Sequence, residues 1–179
     1  MQRLTRSARG AVIALALVLL AAAPATAAQP TRTVRPLSGG FTLPAGTACA
    51  FDVAGEPSTV SVEHGFIANT TFSDGTVLHF VRAKGAYVNV ATGARYPTED
   101  TFRDYSSYDP DTGIQVGVET GQTTWSFLPG DIGPFGVVGS DGALYRFIGS
   151  LSYTWDNNTF HITEFSYTGS VEDVCAALS

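Results

Sequence analysis

From Phe41 onward, turn chemistry interrupts the chain every ~10–14 residues, and apolar residues alternate with polar ones between the turns. This period of two constrains the fold more than any other feature, because it presents one apolar face per segment and leaves almost no helical stripe. Val60, Val62, His64 and Phe66 share one phase. A Ser73-Asp74-Gly75 turn leads into Val77 to Val81, and Lys84-Gly85 reads as a turn into Tyr87 to Val90. Asp109 to Gly113 is a strong turn, after which Ile114, Val116 and Val118 fall on one face. Gly121-Gln122 reads as a turn before Thr123 to Leu128, and Ser140-Asp141-Gly142 precedes Leu144 to Ile148. Leu151, Tyr153 and Trp155 alternate up to Asp156-Asn157-Asn158, and Thr159 to Tyr167 forms the last strand. Connections this short favour an antiparallel meander. The expectation is an all-β fold, an antiparallel barrel (alternatively a sandwich) of about eight to ten strands, because open edges invite aggregation. Val171 to Leu178 is the one helix candidate, with Ser170 as its N-cap.

The first 28 residues belong to a different regime. Arg3, Arg6 and Arg9 precede an apolar run from Ala11 to Ala23, and Ala25-Thr26-Ala27-Ala28 fits the small-x-small rule of signal peptidase. Residues 1–28 therefore read as a signal peptide cut after Ala27 or Ala28, residues 29–40 as a disordered leader, and residues 41–179 as a single domain. The run is too short for a stable membrane span, so the mature protein is expected to be secreted, extracellular and free of the membrane. Heavy use of Arg over Lys, and of Ala, Gly and Thr, points to a bacterial genome rich in G and C.

Export also decides how the cysteines read. Cys49 opens the domain and Cys175 nearly closes it, and two cysteines so placed in an exported chain predict one disulfide. No Cys-x-x-Cys or evident cationic activator suggests redox work. All sixteen acidic residues follow position 28, where Lys84 and six arginines oppose them, a net of −9. Such a surface repels phosphate backbones and anionic membranes, so nucleic acid is not an expected partner.

No catalytic signature, metal-ligand set or cofactor motif is present, and no catalytic or metal-binding residues are assigned. His161 and Glu164 have an odd offset, which puts them on opposite faces of a strand. Asp109-x-Asp111-x-Gly113 lacks the remaining ligands of a calcium loop. Asp74, Asp109, Asp111, Asp141 and Asp156 read as solvated turn residues, whereas Glu99, Asp100, Arg103 and Asp104 form a polar cluster in a stretch readable as strand or mobile loop. His64 and His79 are in phase with apolar neighbours, which predicts substantial burial. In a barrel both would reach the lumen, together with Tyr153 and Trp155, and could meet a ligand.

The layout resembles secreted actinobacterial proteins of unknown function. The residues that carry the likeness are Ala48-Cys49-Ala50-Phe51, the Phe72-Ser73-Asp74-Gly75-Thr76 turn and the ending Val171 to Leu178. This resemblance implies export and a β-rich fold and adds no activity. The expected function is a non-enzymatic binding protein for a small, partly apolar ligand. Two alternatives stand beside it: a barrel-type enzyme with an inward histidine as acid or base, and a carbohydrate- or protein-binding module using exposed Trp125 or Trp155.

Overall fold

The computed structural model describes residues 28–37, 39–57 and 65–179. His64, Val60 and Val62 lie outside the described residues, as does the signal segment up to Ala27. Among the described residues, eleven strands and one short helix follow in order: β1 (Thr31–Pro36), β2 (Phe41–Leu43), β3 (Val53–Pro57), β4 (Phe66–Thr71), β5 (Val77–Asn89), β6 (Arg95–Asp109), β7 (Ile114–Phe127), β8 (Ile132–Gly133), β9 (Gly136–Val137), β10 (Ala143–Asp156), β11 (His161–Asp173) and α1 (Val174–Leu178).

Nine strands form one antiparallel sheet in the order β1-β4-β5-β6-β7-β10-β11, with β3 beside the second half of β5 and β2 beside β3. The strands β8 and β9 make a separate ribbon. The expected meander is present from β4 to β11, broken only by that ribbon. Its turns use the predicted chemistry. Asp74 accepts from the Thr76 amide (2.9 Å), Asp109 from Asp111 (2.9 Å) and Asp156 from Asn158 (2.8 Å). These backbone hydrogen bonds favour the ionised form and hold all three carboxyls below the usual range.

Three local expectations are corrected. Thr31–Pro36, read as part of a disordered leader, pairs with β4 along its whole length, because the alternating Thr31-Arg32-Thr33-Val34 backbone can serve an edge strand despite polar composition. Lys84-Gly85 is not a turn: β5 runs through it, paired with Glu99 and Thr98 of β6. Of the two readings left open for the stretch containing Asp100 and Asp104, the structure shows strand. The helix begins at Val174, with Asp173 rather than Ser170 as N-cap, since Val171 to Asp173 remain paired with β10.

Gly121-Gln122 is also not a turn, and its actual role organises the molecule. Gly121, Gly149 and Gly169 are register partners across β7, β10 and β11, with φ of +131°, +146° and +113°. A Cβ on any of them would fall 2.1–2.2 Å from a neighbouring backbone oxygen. This glycine row is a crease. Trp125 is paired with Tyr145, and Tyr153 lies eight residues further along β10, about 26 Å away on a straight strand. Their ring centroids are nevertheless 4.9 Å apart. Phe127 and Phe165 approach similarly, at 5.1 Å. The three strands fold back at the crease and bury an aromatic-rich core of Phe127, Phe147, Leu151, Tyr153 and Ile162 between their halves.

The first half of β10 is covered on its other face too. Leu144 packs there with Tyr96, Val53, Ala48, Val174 and Leu178 in a second core. The Cys49–Cys175 disulfide, predicted from the sequence, ties α1 to this core with a Cα–Cα distance of 5.6 Å. Among the described residues no pairing joins β1 to β11, and no helix is long and apolar enough to cross a membrane.

Candidate functional site

A concavity of about 590 Å³ lies on the face of β6, β7, β10 and β11 opposite the folded core. Each strand contributes three consecutive residues: 105–107, 116–118, 152–154 and 164–166. The central members, Ser106, Gly117, Tyr153 and Phe165, are register partners in one row. Because side chains alternate, these four direct their side chains to the other face and line the groove with backbone. The walls are Tyr105, Ser107, Val116, Val118, Ser152, Thr154, Glu164 and Ser166.

Val116 and Val118 share a face, as their spacing predicts, but that apolar face is the outer one: they are 47% and 49% exposed. Gly117 faces the core instead, where a Cβ would strike the Tyr153 ring at 2.5 Å. The absent side chain makes room for Tyr153. Tyr105 is 51% exposed beside Phe72, at a ring distance of 6.1 Å.

The core face beneath the groove carries a polar row. Asn69, His79, Asp104 and Glu119 are successive register partners across β4, β5, β6 and β7. His79 Nδ1 lies 2.8 Å from Asn69 Oδ1. The Tyr153 hydroxyl reaches both oxygens of Asp104 (3.1 and 3.2 Å), and the Trp125 indole donates to Glu119 (3.2 Å). Asp104 is 7% exposed and Glu119 3%. Burial pushes the Glu119 carboxyl up to about 7 against the hydrogen bonds of Thr123 and Trp125, and the charges of Asp104 and Asp100 push the same way. Burial also raises Asp104 and takes Asp100 to about 6, where Thr124 and Arg146 oppose the rise.

Of the four residues expected to meet a ligand, the structure brings two together: His79 and Tyr153 converge on Asp104. His79 has the predicted phase but is half-buried rather than substantially buried, and its row is polar, not apolar. Trp155 is half-buried against the aromatic core, away from this row. Trp125 is half-buried as well and bonded to Glu119, so neither tryptophan is an exposed platform. His161 sits with its Nδ1 2.7 Å from Asp131, which also accepts from the amides of Leu128 and Ile162.

Sequence reasoning missed Asp104 and Glu119 as a facing pair, and it missed the whole groove. The signal lay in the interleaving of Val116-Gly117-Val118-Glu119, where the apolar phase and the core phase differ. Among the described residues no group of three or more His, Cys, Asp or Glu could hold a metal ion. No family model, curated protein or solved structure matches this chain.

Proposed function

We propose that this chain is an exported, non-enzymatic protein that binds a small, partly apolar ligand in the groove across β6, β7, β10 and β11. One observation carries the reading: a concavity of about 590 Å³, of the size small ligands occupy, exposes Tyr105, Val116 and Val118 beside hydroxyls and one carboxylate. The architecture that goes with it is one sheet creased into two packed layers, nearer a sandwich than a barrel. Export is supported by the leader sequence and by the disulfide.

The test is a titration of the purified protein with an environment-sensitive apolar dye. Tyr105→Ala and Val118→Asp should each weaken binding at least fivefold, whereas Ile148→Asp, on an exposed position outside the groove, should not. Equal affinity in all of them would defeat the reading. N-terminal sequencing of exported material should begin at Ala28 or Gln29.

A second reading, an enzyme with an inward acid or base, is favoured by the facing of His79, Asp104 and Glu119 with a carboxyl near neutrality. The double variant Asp104→Asn/Glu119→Gln separates the two: it leaves dye affinity intact under the first reading and removes turnover under the second.

A further inference from the structure

The groove is chemically graded from one end to the other. At the β6 and β7 end the Tyr105 ring and the Val116 and Val118 methyls, all about half exposed, outweigh the hydroxyls of Ser107 and Thr76. At the β10 and β11 end stand Ser152, Thr154, Glu164 and Ser166. Three strand spacings separate the extremes, about 14 Å. A ligand that satisfies both ends has an apolar body and one polar head.

Hydrogen bonding at the polar end specifies the head. The Thr154 hydroxyl donates to Glu164 Oε2 (3.0 Å), so its proton is committed and its lone pairs remain. Ser152 and Ser166 share a hydrogen bond between their hydroxyls at 2.7 Å, which commits one of their two protons. Glu164 offers a carboxylate with accepting capacity left over. The end is therefore rich in acceptors and poor in donors. No Lys, Arg or His lines the groove, and the chain after position 28 carries a net −9. An anionic head finds no partner there and is repelled, and a polyol finds few donors for its own oxygens. An ammonium brings three donors, no acceptor and the complementary charge.

Resting on the groove reading, we propose that the ligand is an amphiphile with a single amine-type cationic head placed at Glu164 and an apolar body lying along Val116, Val118 and Tyr105. Glu164 sets which head is accepted, and Tyr105 sets how tightly the body is held. Since Glu164 is exposed, the preference is modest, about three- to tenfold over a neutral head.

The experiment is calorimetric titration at pH 7 with three probes of equal chain length: octylamine, octanol and octanoate. The expected order of affinity is octylamine, then octanol, then octanoate. Glu164→Gln should lower octylamine to the affinity of octanol and leave octanol unchanged. Tyr105→Ala should weaken octylamine and octanol alike. If octanoate matches octylamine, or if Glu164→Gln keeps the preference, the cationic head is wrong and the groove still stands as a site. If no probe binds, or Tyr105→Ala changes nothing, the groove reading itself falls and takes this one with it.

Discussion

Gly149→Ala should be among the most damaging single-methyl changes available in this protein, and the cost can be resolved into parts. Gly149 sits in the crease with φ of +146°, a region nearly closed to residues with a side chain. Its added Cβ would fall 2.1 Å from the Thr168 carbonyl oxygen and 3.0 Å from the carbonyl carbon, both backbone atoms of a paired strand. The conformational part costs about 1–3 kcal/mol. The overlap forces a backbone shift in β11 and adds about 1–3 kcal/mol more. Two other glycines separate these contributions. Gly75 has φ of +85° and open space around its missing Cβ, so Gly75→Ala should show the conformational part alone, about 1–2 kcal/mol. Gly139 has no atom within 4 Å of the added carbon and no positive φ, so Gly139→Ala should lie within ~0.5 kcal/mol of the parent or be slightly stabilising. Urea unfolding of the oxidised protein, followed by tryptophan fluorescence, measures all three. Trp125 sits between the folded halves, so its emission should also report the opening of the crease. If Gly149→Ala loses no more than Gly75→Ala, the crease does not depend on glycine and the description of the fold as a creased sheet is mistaken.

Three further outcomes are expected. Replacing both cysteines with serine frees a covalent loop with a sequence separation of 126 and should cost about 2–5 kcal/mol in chemical unfolding; a change under ~1 kcal/mol would show that the bond constrains little. Glu119 has a folded pKa raised from 4.5 to about 7, so its stabilising contribution is complete below pH ~4.5 and is lost as pH rises through about 7. Unfolding free energy should therefore fall between pH 5 and 8, with Glu119 supplying on the order of 3 kcal/mol. Glu119→Gln should flatten that slope, and an unchanged slope would refute the assignment. Tyr153→Phe removes the hydroxyl that reaches both Asp104 oxygens and should cost about 1–3 kcal/mol by thermal unfolding, whereas a neutral result would mean that Asp104 finds other donors.

What could be read from the chain, and what could not, divides along a physical line. The turns were legible because Asp74, Asp109 and Asp156 act within three residues of themselves, and local chemistry is written locally. The cysteine pair was legible because an exported chain leaves two thiols few alternatives. The face of β7 was not, because it depends on Tyr153, 36 positions beyond Gly117, needing the space above that glycine. The crease was half visible: Gly121 announced an interruption, but only register with Gly149 and Gly169 turns three interruptions into one line. For the same reason Asp104 and Glu119 looked like ordinary strand-surface acids until the pairing of β6 with β7 set them opposite each other. The candidate groove is the least legible feature, since its walls come from four strands and each contributes only two outward side chains.

The disulfide also determines how the protein would carry load. A pull applied at its two ends would run from the described start to Cys49, cross the sulfur bridge to Cys175 and leave through the last four residues. The aromatic core, the crease and the groove lie within the covalent ring that the bridge closes, off the covalent path of the tension, whereas β1 and β2 lie outside it and β1 would have to peel from β4 first. A protease that cuts once in any loop of that ring would leave the fragments in a single molecule. The bridge thus keeps covalent tension entering at Cys49 and Cys175 away from the four strands that form the groove.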